Sequence, residues 1–546
     1  MSDPAGTGAN VLAVLRDVAG RVPDRPALVM GKGRRISFAR LWDRIGRASA
    51  GLRQRGIQPG DRAIVMIPMS IDLYVALLAL LKIGAVAVFV DPWIGRRQIA
   101  AFAAFAEPRA YLGIPRSHLL RWLEPALRKV PLSVTTGQRL AGLPARVTLA
   151  ELEEAPGDGW IHPAAPDDSA LITFTSGSSG EPKGADRTHG FLLAQHRALA
   201  ATFPVRNDEN AEADMPMFPI FALNNLALGV TSVVPEMDFR RVERVDPGPV
   251  LAQMASRDVR TCTASPPFFD RLAPAIRAAG GRVRLRRILT GGAPVSDSQL
   301  RAWQRDLPDT EIVVAYGSTE AEPVAHLAAG ERLEAVSDVR PRTPGFCAGR
   351  PIDRIQARVI RIHPGPVELG EGGWADWEVA PGEIGELAVT GEHVCKSYYR
   401  NPTAVAENKI ADPAKGTGKV WHRMGDTGYL DGEGRFWLCG RVHSTIRRDG
   451  HEIHPQLVEQ AARGEDPRIR RLAAVGLPDP ALGERVVLVL ETAAGEGGTL
   501  EKEVADRLAA AGLAVDEIRL TRVSLPVDPR HNSKIDYGRL RQSLLR

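Results

Sequence analysis

The chain has 546 residues, 44% of them hydrophobic, and its 70 basic and 65 acidic side chains leave a formal charge of +5. That length exceeds what one hydrophobic core organises, so at least two domains are expected. The positive balance is spread along the chain instead of forming a block, which argues against a dedicated nucleic-acid arm, and no nucleic-acid partner is expected.

The first twenty residues lack a basic region leading into an apolar stretch and a cleavage site, so no signal peptide is expected. Over residues 37–56 apolar side chains recur at helical spacing, with Ser37 as N-cap and Gly56 as a stop. Residues 62–67 read as a buried strand, 71–83 as a helix and 85–90 as a second strand. This βαβ rhythm implies a parallel sheet covered by helices, hence an α/β fold. Pro68, Asp72 and Lys82 interrupt the apolar run at 63–92, so no transmembrane span is expected. Punctuation by Pro, Gly and Asp at 155–168 reads as an internal loop.

The stretch LITFTSGSSGEPKGADRTHG follows at 171–190. Its apolar, β-branched start predicts a strand ending at Thr175, and a loop of hydroxyls and glycines closed by Lys183 comes next. Read for chemistry, the loop is a phosphate cradle. Gly177 and Gly180 let backbone N–H groups approach an anion, Thr175, Ser176, Ser178 and Ser179 add hydroxyl donors, and Lys183 adds charge. By composition alone such a loop is more often a flexible connector, and it is the order of its residues that turns the reading. The common P-loop is excluded, because Pro182 stands where that motif needs a glycine.

Residues 188–202 have helical character. In the apolar segment 215–238, Pro216, Pro219 and the pair Asn224-Asn225 predict an irregular buried wall, of the sort an acyl pocket needs, more than a regular element. A short strand at 288–290 runs into the turn Gly291-Gly292-Ala293-Pro294, and another at 312–315 ends at Tyr316-Gly317-Ser318-Thr319-Glu320. Such strand ends are where open α/β sheets bind ligands. Residues 345–402 suggest a β-rich or barrel-like unit, and 421–441 two short strands around an Asp431-Gly432 turn. Beyond Arg441 the pattern becomes a compact mixture, with helices at 455–463 and 500–511 and a strand at 486–490, and the domain boundary is placed there. Cys262, Cys347, Cys395 and Cys439 are widely separated and form no C-x-x-C pair, so neither a zinc site nor a disulfide framework is expected, and a reducing cytoplasm fits.

TSGSSGEPKG, GGAP at 291–294, YGSTE at 316–320, GELAVTG at 385–391, GDTGYLD at 425–431, GR at 440–441 and a near-terminal Lys534 occur in that order over nearly the whole chain. Together they resemble the adenylate-forming superfamily of acyl-CoA synthetases, nonribosomal-peptide adenylation domains and luciferases. The resemblance implies a large multi-subdomain adenylation domain at 1–440, with parallel sheets, helices and a β-barrel-like unit, then a small mobile α+β lid domain at 441–546. It implies ATP and magnesium as cofactors. It assigns the phosphates to Thr175, Ser176, Gly177, Ser178, Ser179, Gly180 and Lys183, and adenine to Tyr316 with Gly292, Ala293 and Pro294. Gly317, Ser318 and Thr319 would follow the nucleotide towards its phosphate.

Asp426 resembles the carboxylate that accepts from both ribose hydroxyls, and Arg441 is expected near ribose or phosphate. Glu320 matches the magnesium ligand, since one carboxylate plus ATP phosphates is how that ion is commonly held. Lys534 matches the lysine that enters from the small domain and bridges substrate carboxylate and α-phosphate.

Departures from the family pattern narrow the reading. His443 and Ser444 stand at the hinge where acidic or lysine residues are usual, and Pro219 replaces the histidine that usually follows Phe218. Gly450, which in CoA ligases lines the pantetheine tunnel, is kept. FPIFALNNLALGVTSVVPEMD and LPVDPRHNSKID look most like the β-lactone synthetases of bacterial long-chain olefin biosynthesis. That branch implies activation of a 2-alkyl-3-hydroxy fatty acid and closure to a β-lactone, in a pocket walled by Phe218, Pro219, Phe221, Leu223 and Leu226. It also allows assembly with other enzymes of the same pathway. The alternatives are a long-chain acyl-CoA ligase and an inactive acyl-binding scaffold.

Overall fold

Strand Arg62–Met66, helix Ile71–Lys82 and strand Val86–Phe89 form the βαβ unit that the periodicity implies, and the two strands pair in parallel. Ser70 caps the helix, its Oγ accepting from Leu73 N at 3.2 Å. Every residue of that helix but Asp72 is buried, because it is covered on all sides. Lys82 is the exception in kind, a buried ammonium that donates to Asp158 O at 3.0 Å and lies 3.2 Å from Asp158 Oδ1. The computed structural model describes residues 8–90, 95–139, 142, 144–175, 183–206, 211–339, 345–412, 419–464, 466, 468–492, 497–527 and 535–546.

Four sheets organise these residues. The first has seven strands, in the order Val147–Thr148, Leu132–Thr135, Ala110–Gly113, Arg62–Met66, Val86–Phe89, Ser169–Thr175, Lys183–Thr188, all parallel except the last pair. The second has eight, in the order Ala321–Ala328, Glu311–Ser318, Arg287–Gly291, Val259–Ala264, Ala213–Pro216, Thr231–Val233, Pro26–Val29, Arg35–Ser37, antiparallel only at its two outer pairs. A third, antiparallel sheet takes the strands from Phe346–Gly349 to Phe436–Arg441, and a fourth the strands between Ile446–Arg448 and Glu517–Thr521. The expected α/β class, with mostly parallel sheets followed by a separate antiparallel one, is what these sheets make. Among the described residues no helix is long and apolar enough to cross a membrane, and all four cysteines are free and buried.

Two expectations need correction. Residues 219–228 are a regular helix, Pro219–Leu228, in place of an irregular wall. Pro219 sits at its first position, where the missing N–H costs nothing, and Gly229 ends it at φ +80°. The prolines there mark a helix boundary. Lys419–Leu430 is one strand of 12 residues, long where a short one was expected, because it pairs along its length with three neighbours.

Buried neutral histidines contribute to the pH dependence of this fold. His118 lies 3.2 Å from Val134 O, His189 accepts from Val11 N at 3.3 Å, and His454 faces the Thr427 hydroxyl at 3.2 Å. Burial holds each to about 4, against about 6.5 in an open chain. A depressed histidine pKa means that the unfolded chain takes up protons first. Each group's contribution is therefore complete above pH 6.5 and is lost as the pH falls towards 4, at about 1.4 kcal/mol per unit. Unfolding free energy from urea melts is expected to fall between pH 7 and pH 5, with a shallower slope in His454→Gln; equal stability at the two pH values would contradict neutral burial.

Candidate nucleotide and acyl site

Strands Ala213–Pro216, Val259–Ala264, Arg287–Gly291 and Glu311–Ser318 run parallel, so their C-terminal ends share one edge of the second sheet. The turn Gly292-Ala293-Pro294 leaves that edge with Gly292 and Pro294 exposed, and Tyr316, Gly317 and Ser318 end the neighbouring strand. Beyond Thr319 and Glu320 the chain folds back, pairing Ser318 with Ala321. Gly317 permits that reversal, because a Cβ there would lie 2.7 Å from Ala321 O.

The third sheet brings a carboxylate to the same edge. Register sets Asp426 opposite Arg441, and Arg441 Nε lies 2.9 Å from Asp426 Oδ1. The Tyr316 hydroxyl donates to the other carboxylate oxygen, Oδ2, at 2.6 Å. Burial, and then the Asp426 charge, push the Tyr316 phenol far above its usual value, so it stays a donor. Asp426 in turn raises the pKa of Arg441. Each carboxylate oxygen keeps a further lone pair, so this buried aspartate can still accept from two vicinal hydroxyls.

Glu320 is buried beside a second group of polar side chains. The Tyr398 hydroxyl donates to its Oε1 at 3.1 Å, and Glu320 O accepts from Cys395 N at 2.7 Å. Burial by itself raises the carboxyl, but His422, Lys409 and the Tyr398 hydrogen bond outweigh it and leave Glu320 below the ordinary glutamate value. His422, held to about 3 by burial, is neutral at pH 7, which leaves Lys409 as the relevant charge. The Lys409 ammonium is buried and donates to Cys395 O. An ionised carboxylate with one oxygen beyond the Tyr398 contact fits a magnesium ligand that shares its ion with phosphates. It would act without a protein cage, since among the described residues no group of three or more His, Cys, Asp or Glu could hold a metal.

Thr175 ends its strand and pairs with Lys183, whose Nζ lies 3.5 Å from Glu407 Oε2. Ser176, Gly177, Ser178, Ser179 and Gly180 lie outside the described residues, as does Lys534. His443 is exposed in the short turn Val442–Ser444 between the third and fourth sheets. Three contributors were missed by sequence reasoning. Tyr398 and Lys409 surround Glu320, and buried Arg187 donates to Thr319 O from Nε at 3.1 Å and from Nη2 at 2.7 Å. Arg187 lies in the strand that follows the glycine-rich loop, which was the one available signal.

Three of the acyl-wall residues line cavities, and they divide between two. Leu223 and Leu226 line the larger, between helices His189–Thr202 and Pro219–Leu228. Phe221 lines a smaller one against the sheet, where Asp214, Thr261 and Arg287 make the surroundings polar. Phe218 packs on Phe221 with ring centroids 6.3 Å apart, and Tyr74 donates to Pro219 O at 3.1 Å.

Fold and motifs together define an AMP-forming, ligase-type α/β enzyme. Residues 15–399 match the model of the AMP-binding enzyme family, and the chain belongs to that family. It is 34% identical to the olefin β-lactone synthetase of Stenotrophomonas maltophilia over 97% of both chains. A feruloyl-CoA synthase of Amycolatopsis is 30% identical over 85% of both. The fold matches that of ATP-bound MatB from Rhodopseudomonas palustris with a TM-score of 0.78 at 22% identity, covering 98% of this chain and 99% of that one.

Proposed function

We propose that this enzyme uses ATP to adenylate a 2-alkyl-3-hydroxy fatty acid and closes the adenylate to a β-lactone. The observation that carries the reading is the similarity to an olefin β-lactone synthetase over 97% of both chains. The apolar cavity beside Leu223 and Leu226 supports an aliphatic chain.

In the first step the substrate carboxylate attacks the α-phosphorus, the bond to the β-phosphate oxygen breaks, and diphosphate leaves. Tyr316, Asp426 and Arg441 orient the nucleoside, Thr175 and Lys183 with the loop between them hold phosphates, and Lys534 balances charge between carboxylate and α-phosphate. Glu320 would hold magnesium, which when bound supplies positive charge to the phosphates. In the second step the β-hydroxyl oxygen bonds to the acyl carbon, the acyl–phosphate C–O bond breaks, and AMP leaves with the electron pair while the hydroxyl proton is released. Holding that hydroxyl in attack geometry is worth about 7 to 11 kcal/mol, which offsets much of the strain of a four-membered ring. Residues 441–546 serve as a lid that turns about His443 between the steps.

Incubation of a 2-alkyl-3-hydroxy acid with Mg-ATP and no CoA is expected to give lactone, identified by NMR, with one AMP per lactone. Thioester as the sole product, formed only when CoA is added, would establish the acyl-CoA ligase. The similarity to feruloyl-CoA synthase and the retained Gly450 favour that second reading.

A further inference from the structure

The larger cavity is lined by leucine, isoleucine, valine and alanine apart from Gln195, His196 and Asn224. Gln195 is 1% exposed. Its Nε2 donates to Glu322 O at 3.1 Å, which fixes the orientation of the amide, and its Oε1 is buried with no partner among the described residues. On the next position of the same helix, His196 Nδ1 lies 2.8 Å from Asn224 Oδ1 of the facing helix. An amide oxygen keeps the proton on Nδ1, so Nε2 presents a lone pair, and no described residue hydrogen-bonds to it. Burial, opposed by the Asn224 bond and helped by Arg197, lowers the pKa of His196 and keeps it a neutral acceptor.

Two acceptors on consecutive residues thus line an apolar cavity with no donor among the described residues to satisfy them, and that of Gln195 is buried. A buried acceptor left without a donor carries a desolvation cost, so a ligand that brings a donor recovers it. The tie to Glu322 sets Gln195 near Glu320 and the strand edge. We infer that Gln195 Oε1 and His196 Nε2 read a hydroxyl on the acid's chain, with Asn224 positioning His196, so that the channel selects hydroxy acids over plain acids of the same length. The inference rests on the adenylation step of the proposed function and not on the lactone.

Diphosphate release is the measurement, with a 2-alkyl-3-hydroxy acid and the same acid lacking its hydroxyl as paired substrates. The wild-type ratio of kcat/KM is expected to favour the hydroxy acid by about tenfold or more, because a site built for a hydroxyl rejects the analogue without it. Gln195→Met and His196→Phe are each expected to bring the ratio towards one, the loss falling on the hydroxy acid. A wild-type ratio near one, or equal losses on both acids in both variants, would overturn the inference. A protein that prefers the hydroxy acid yet makes no lactone would refute the cyclisation and leave hydroxyl reading intact.

Discussion

Replacing Lys534 by alanine is expected to slow adenylate formation by about 10²- to 10³-fold, or about 3 to 4 kcal/mol, with ATP affinity held within a few-fold. The lysine is assigned to charge that develops as the carboxylate attacks phosphorus, so its removal should lower kcat and kcat/KM together. Residue 534 itself lies outside the described residues, but the chain on either side is anchored. Val527 and Ile535 form an antiparallel bridge, and Asp536 N donates to Pro526 O at 2.9 Å. Leu525 N donates to Glu491 at 3.0 Å, and the Tyr537 hydroxyl donates to half-buried Glu459 at 2.7 Å. These bonds tie both ends of the segment to the fourth sheet and its first helix. Diphosphate release and nucleotide titration check the expectation. An equal loss of ATP affinity would show that the lysine holds the ground-state nucleotide instead.

What local chemistry dictates was legible in the sequence. Ser37 caps helix Phe38–Gln54 through its hydroxyl, Thr188 caps His189–Thr202, and the helix expected at 455–463 occupies those residues. Pro219–Leu228 escaped detection because prolines and paired asparagines read as breakers, whereas proline at the first turn and a left-handed glycine at the end are boundary devices. The motif residues Tyr316, Asp426 and Arg441 could be chosen individually. Their joining could not, since the Tyr316–Asp426 bond spans 110 residues and depends on how the third sheet meets the second. Tyr398 and Lys409 had no local signal at all. A tyrosine and a lysine become neighbours of Glu320 only when the 385–430 strands close over the strand edge.

Asp426→Ala is expected to weaken nucleotide binding at least tenfold and to destabilise the fold, and Asp426→Asn separates the two effects. In the wild type one carboxylate oxygen takes the Tyr316 hydroxyl and the other the Arg441 guanidinium. Alanine leaves a half-buried phenol without its acceptor and a cation without its partner. The Arg441 side chain is 27% exposed, so water recovers part of the loss, and about 2–3 kcal/mol of stability is expected to go. Asparagine keeps the shape and one oxygen acceptor, which can retain the Tyr316 bond, but it gives up the charge and the second acceptor. It should therefore unfold close to the wild-type urea midpoint yet still bind nucleotide poorly, because two ribose hydroxyls need two acceptors beyond those already used. Affinity is affected in the ground state, so KM for ATP should rise more than kcat falls, opposite to the lysine variant. Wild-type nucleotide affinity in a folded Asp426→Asn protein would show that the carboxylate is a structural brace between the second and third sheets and does not touch the ribose.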